Sequence, residues 1–343
     1  MSTTARSIYE VLDDRFLIPA NGDKRLELLF DGSRWTEGPI YLPAWRQVIF
    51  SDIPNDRLMR WDEATGAVGV FRASAGYGNG NTLDREGRLI TCEQGRRRIT
   101  RTEHDGSITV IADRFEGDRF NGPNDLVVKS DGTLWFTDPV FGLISDYEGE
   151  RGPSEIGASN VYRVDPDTGD VRVVAEGFGT PNGLAFSPDE ERLFVSDTLL
   201  GQIRAFDVCE DGRLSEGKVF TEAPLSEAQF DGVKFDDEER LWVAAGRDGL
   251  RCYDPDGTLI GRILFPTPVS NFSFGGPRNN RLFVSSASSL YSLIVAVTGA
   301  PRFGGPGFRA TSRAAGAGGA VDNAAAVAAI RWQMHAEASE ARQ

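Results

Sequence analysis

One unit recurs six times along this chain, and its period constrains the fold more than any other feature. Each copy opens on an oxygen-bearing residue, runs through a short apolar stretch and turns at a DG, EG or similar pair. It then enters a second strand-like run such as LWFTD or LFVSD. The copies begin at EGPIYLPAWRQVIFSD, NGNTLDREGRLITCE, NDLVVKSDGTLWFTD, NGLAFSPDEERLFVSD, DGVKFDDEERLWVAA and NFSFGGPRNNRLFVSS. Their leading residues are Glu37, Asn79, Asn124, Asn182, Asp231 and Asn271, separated by 42, 45, 58, 49 and 40 residues. Units of about 40–45 residues with four short strands each are propeller blades. The runs are rich in β-branched and aromatic residues and bounded by turn-forming Asp and Gly, as strands are. The sequence therefore predicts an all-β chain, a six-bladed β-propeller with four-stranded blades.

The apolar segment RLELLF, Arg25–Phe30, precedes the first unit. It is expected to close the ring as the outer strand of the last blade, because pairing the two ends removes exposed sheet edges. The longest spacing holds an insertion near DYEGERGPSEIGASN, expected to be a surface loop. Domain boundaries follow: an N-terminal extension over 1–24, the propeller over 25–300 and a Gly/Ala-rich tail over 301–343 with no core pattern.

The repeat also carries chemistry. All six leading residues are Glu, Asp or Asn. In a propeller the first strand of each blade lines the central channel, so residues at its start converge on one mouth. Fourteen or fifteen positions later the second strand returns to that mouth at Asp52, Glu93, Asp138, Asp197, Ala245 and Ser286. Four of these six are carboxylates. Acids gathered this way repel and shift one another's pKa values, and a bound cation relieves the repulsion. The donors are all oxygen, which suits calcium first, with magnesium, manganese or zinc as alternatives.

Other chemistries are excluded. The chain has only two histidines, His104 and His335, neither in the ring, and lacks GxSxG, so no Ser-His-Asp triad is expected. No GxGxxG opens a helix. The net charge of −14 and the absence of a basic stripe argue against nucleic acid as partner. Three cysteines in no CxxC spacing indicate neither zinc site nor disulfide framework and point to a reducing compartment. The N-terminal MSTTARSIYEVLDDRF has no apolar signal core, and no stretch nears the ~18 apolar residues of a membrane span. A cytoplasmic protein with no membrane partner is expected, as a monomer or homodimer.

The stretches WTEGPIY, NGNTLDREGRLITCEQGRRRITR, FNGPNDLVVKSDGTLWFTDP, PNGLAFSPDEERLFVSDT and DGVKFDDEERLWVA resemble the gluconolactonase/regucalcin (senescence-marker-protein) family of six-bladed propellers, nearest its bacterial gluconolactonase-like branch. The resemblance spans about residues 20–296. It implies a metal-dependent hydrolase that opens a small sugar lactone, an aldonolactone such as gluconolactone, to its acid. Family metal ligands fall on Glu37, Asn182 and Asp231, with Asn124 near metal or substrate and Asp231 also the general base. Asn79, Asn271 and Arg119 are then candidates for sugar hydroxyls, and Asp52, Glu93, Asp138 and Asp197 for groups that orient the ligands. Relatives read CEHG where this chain has Cys92-Glu93-Gln94-Gly95, so any acid–base or metal role of that His is absent here. A phosphotriesterase or other esterase on the same metal, or a non-catalytic calcium-binding propeller, are the competing functions.

Overall fold

A computed structural model describes residues 7–302. Six four-stranded antiparallel sheets surround a central channel, as the repeat requires. Blade 1 comprises Thr36–Leu42, Gln47–Asp52, Arg57–Asp62 and Val68–Ala73, running from the channel outward. Blades 2 to 5 follow in the same order, with inner strands Gly78–Leu83, Leu126–Val128, Pro181–Phe186 and Val233–Phe235. Blade 6 takes Val269–Gly275, Arg281–Ser286 and Ser289–Ile294 from the C-terminal side. Its outer strand is Glu27–Asp31, which pairs antiparallel with Ser289–Ile294 in the register Glu27↔Ser292. Closure by the N-terminal strand is thus as expected, shifted by two residues at its start and one at its end.

The segment before residue 25 is also part of the structure. Tyr9–Val11 adds a fifth strand to blade 5, with Tyr9 opposite Ile263. The following turn inserts Phe16, fully buried, with its ring 6.0 Å from that of Trp242. Its aromatic surface completes the apolar layer between blades 5 and 6, where Phe272 and Leu250 are also fully buried. No sequence period announces this strand, because it belongs to no repeat.

A chain of hydrogen bonds ties each inner strand to the next around the axis. Ser51 Oγ donates to the carbonyl of Asn79 (2.6 Å), Gly80 N–H to that of Asn124 (2.7 Å) and Thr137 Oγ1 to that of Asn182 (2.7 Å). Ser196 Oγ donates to the carbonyl of Asp231 (2.8 Å), Gly232 N–H to that of Ser270 (3.0 Å) and Ser270 Oγ to that of Thr36 (2.8 Å). Every junction between blades carries such a bond; four of the six end on a leading residue and the other two on its immediate neighbour in sequence. The strands approach closely here. A Cβ on Gly183 would lie 2.4 Å from the Asp231 carbonyl oxygen, and one on Gly80 would lie 2.5 Å from that of Asn124. Both glycines are needed to let neighbouring backbones meet.

The last described residues lie across the far end of the channel. Ala300 N–H donates to the Phe235 carbonyl and the Arg302 guanidinium to that of Tyr41, each at 2.9 Å. A mainly apolar cavity of about 150 Å³ lies behind them, lined by Ile40, Leu126, Leu184, Phe235 and Phe274 among others. The expected Gly/Ala-rich tail lies, from residue 303 on, outside the described residues.

Phe16→Ala should lower stability by about 3–5 kcal/mol, as expected for emptying a fully buried aromatic site. Urea unfolding checks this; a loss below about 1 kcal/mol would show that the segment only rests on blade 5.

Candidate active site

The opposite mouth is polar. Glu37, Asn79, Asn182 and Asn271 lie on the inner strands of blades 1, 2, 4 and 6. Asn124 and Asp231 stand two residues ahead of those of blades 3 and 5. Five of the six are buried, and Asp231 keeps partial exposure at the mouth.

Their surroundings leave charge and hydrogen-bonding capacity uncompensated. Burial raises the carboxyl pKa of Glu37 to about 8, and the negative charges of Asp125 and Glu148 push the same way. Burial likewise raises Asp231 well above the usual carboxylate range, followed by the charges of Glu37, Asp125 and Glu148. The two carboxylates therefore face the same space and oppose each other's ionisation. Asn182 donates its Nδ2 to Thr198 Oγ1 at 3.1 Å, while its buried Oδ1 has no hydrogen-bond partner. A buried acceptor left unmade costs about 1–3 kcal/mol. Two repelling carboxylates beside an unpartnered amide oxygen are a donor set suited to a hard divalent cation. Among the described residues no three His, Cys, Asp or Glu side chains cluster to hold a metal, so such a site depends on amide oxygens as well as carboxylates.

The carboxylates ending the second strands serve the loops that lead into the ring. Asp52 accepts from Arg34 N–H at 2.9 Å, three residues before Glu37. Asp138 accepts from Asn121 and Gly122 N–H, each at 2.8 Å, just before Asn124. Asp197 accepts from Gly179 N–H at 2.7 Å and Thr180 N–H at 3.0 Å, just before Asn182. In blade 6 Ser286 Oγ fills the same place, donating to the Thr267 carbonyl at 2.8 Å. Glu93 differs: Arg98 Nε (2.8 Å) and Thr100 Oγ1 (3.0 Å) hold it within its own blade. The Ser-Asp and Thr-Asp pairs ending these strands thus act twice. The hydroxyl reaches the next blade's leading residue and the acid fixes the loop of its own blade.

The structure does not bring Arg119 into the ring. It sits on a short hairpin, half exposed, with Nε 2.8 Å from Glu155 Oε1. Conversely, two side chains missing from the sequence reading, Asp125 and Glu148, act on the site, and Gln94, read there only as the departure from CEHG, contacts it. Asp125 occupies the place held by Gly in the EG, NG and DG units, and Lys234 Nζ of blade 5 approaches its Oδ2 to 3.5 Å. Gln94 accepts from Asn79 Nδ2 at 2.9 Å. Glu148, on the blade 3 insertion, is half-buried, and its negative charge reaches both Glu37 and Asp231. The signals were a repeat position that changes from Gly to Asp and the one spacing of 58 that breaks the period.

A propeller scaffold has no use for buried carboxylates that repel each other, whereas perturbed acids at a channel mouth are typical of active sites; the chain stands among the propeller enzymes. Residues 35–288 match the family described as the SMP-30/Gluconolactonase/LRE-like region, and the chain belongs to it. It is 30% identical to the pentonolactonase of Haloferax volcanii over 296 residues, covering 79% of this chain and 94% of that one. It is 28% identical to the gluconolactonase of Zymomonas mobilis over 290 residues, covering 77% and 80%. Among solved structures it resembles a gluconolactonase of Xanthomonas campestris with a TM-score of 0.78 and 36% identity, covering 84% of this chain and 94% of that one.

The raised acids set a pH dependence. A carboxyl whose folded pKa exceeds its unfolded value of about 4 contributes stability below pH 4 that is lost as pH rises through the folded value. Chelated protein should therefore unfold at lower urea as pH rises from 5 to 8, and Glu37→Gln should flatten the fall. A wild-type profile that rises over this range would contradict the mutual repulsion.

Proposed function

We propose that this chain is a hydrolase that opens the ring of a small sugar lactone to the free acid, using one divalent cation held by Glu37, Asn124, Asn182 and Asp231. The observation that carries this reading is the pair of opposed buried carboxylates beside the unpartnered Asn182 Oδ1. The names of two relatives, a pentonolactonase and a gluconolactonase, support the substrate class. Calcium fits the all-oxygen donors best. A cation held there would polarise the lactone carbonyl and would compensate the charge developing on its oxygen. With a cation bound to offset the surrounding charge, Asp231 would be ionised at the edge of the mouth, would take the proton from the attacking water and would return it to the ring oxygen that leaves. Asn79 and Asn271 hydrogen-bond ring hydroxyls and orient the substrate. Asp52, Asp138 and Asp197 hold the loops that position Glu37, Asn124 and Asn182. No helix among the described residues is long and apolar enough to cross a membrane; Cys92, Cys209 and Cys252 are free thiols, which suits a reducing compartment such as the cytoplasm.

Acid release from D-glucono-δ-lactone, above its uncatalysed rate, should disappear on chelation and return with calcium. Asp231→Asn should lower kcat by about 10²–10⁴, the usual contribution of a general base. Full activity after exhaustive chelation would refute the cation's role; full activity in Asp231→Asn would refute its role as base.

A further inference from the structure

Four carboxylates bear on the polar mouth, and one cationic side chain answers them. The charges of Asp125 and Glu148 act on both Glu37 and Asp231. Lys234 lies on the inner strand of blade 5, between the buried Val233 and Phe235. Its Nζ stands 3.5 Å from Asp125 Oδ2. Among the described residues no other Lys or Arg comes to ion-pair distance of Glu37, Asp125, Glu148 or Asp231.

The pair is no surface contact. Asp125 leads into the inner strand of blade 3, so the bridge passes blade 4 and spans the channel. Asp125 is buried, and its Oδ1 accepts from Leu126 N–H at 2.8 Å. Its Oδ2 has no hydrogen-bond partner, so the charge of Lys234 is what that oxygen meets. A buried carboxylate deprived of its counter-charge is costly. Lys234 itself is half-buried and borders the far-end cavity beside Leu126 and Phe274. An ammonium on a long apolar stem suits such a place, with the stem along the apolar wall and the charge at its end. It therefore sits between the apolar far end and Asp125, the sequence neighbour of Asn124 in the ring. Charges this poorly exposed to water are weakly screened and act over several ångströms. A fixed positive charge here opposes a divalent cation in the ring, and it engages the one carboxylate that directly follows a leading residue. Both effects lower cation affinity, which oxygen sites tune by the charge they gather.

We propose that Lys234 is the channel's built-in counter-ion: it keeps Asp125 from the divalent cation and sets how tightly the ring holds that ion. It is a positioning residue and touches neither cation nor substrate. This rests on the cation site of the reading above. The test is calorimetric titration of the chelated full-length protein with calcium, in wild type, Lys234→Met, Asp125→Asn and the double variant. Lys234→Met keeps the length of the stem and removes its charge, and should tighten calcium binding about tenfold or more. Asp125→Asn leaves the ammonium unpaired beside the cation and should weaken binding about tenfold or more. The double variant should return to within about threefold of wild type, because the two changes act through one pair. Opposite signs from the two partners are what a merely structural ion pair would not give, since its loss disorders the site from either side. Calcium affinity unchanged or weakened in Lys234→Met overturns the proposal. So does unchanged affinity in Asp125→Asn, which decides the matter should Lys234→Met not fold. A double variant as weak as Asp125→Asn overturns it too, by making Asp125 a cation ligand. Folded wild type that binds no calcium overturns the cation reading, and the proposal with it.

Discussion

The hydrogen bond from each blade to the next is the interaction on which the rest of this molecule depends. The repeating chain crosses each blade junction from an outer strand to the next inner strand, and leaves the inner strands themselves unlinked. Ser51, Thr137, Ser196 and Ser270 donate side-chain hydroxyls across those junctions, and Gly80 and Gly232 donate backbone N–H groups. Because these bonds end on or beside the leading residues, the contact that holds the ring together also fixes the backbone of the site. The site is therefore built on strand starts that neighbouring blades hold, where geometry is more precise than in a free loop.

Charge is the second constraint, and it runs against stability. Glu37 is buried and Asp231 half-buried at the same mouth, with Asp125 and Glu148 adding to the negative field. A fold that only needed a channel could line this mouth with apolar side chains, as it lines the far end with Ile40, Leu184 and Phe274. The contrast between the two ends of one channel is the physical case for function at the polar one.

Much of this was legible in the sequence because it repeats. The six leading residues, the second-strand acids and the closing strand near Arg25–Phe30 all follow from a period of about 40–45 residues. What the period does not contain was not legible. Tyr9–Val11 and Phe16 belong to no copy, so their place on blade 5 follows only from packing. The insertion breaks the period and read as a surface loop, yet Gly142 and Gly149 bring it against Gln94, and the charge of Glu148 reaches the site. The Ser and Thr before Asp52, Asp138 and Asp197 looked like ordinary strand residues, because a hydroxyl's partner on another blade leaves no local mark. Arg119 was placed near the ring by its nearness to Asn124 in sequence, but a hairpin turns it out to Glu155.

The account's central claim is that the ring of carboxylate and amide oxygens holds one divalent cation. Calorimetric titration of chelated protein with calcium tests it most directly. The account predicts a single site per chain, with Glu37→Gln and Asn182→Ala each weakening binding at least tenfold while leaving the fold intact. No calcium, magnesium or manganese binding by the folded wild type, or binding that both substitutions leave unchanged, would contradict it.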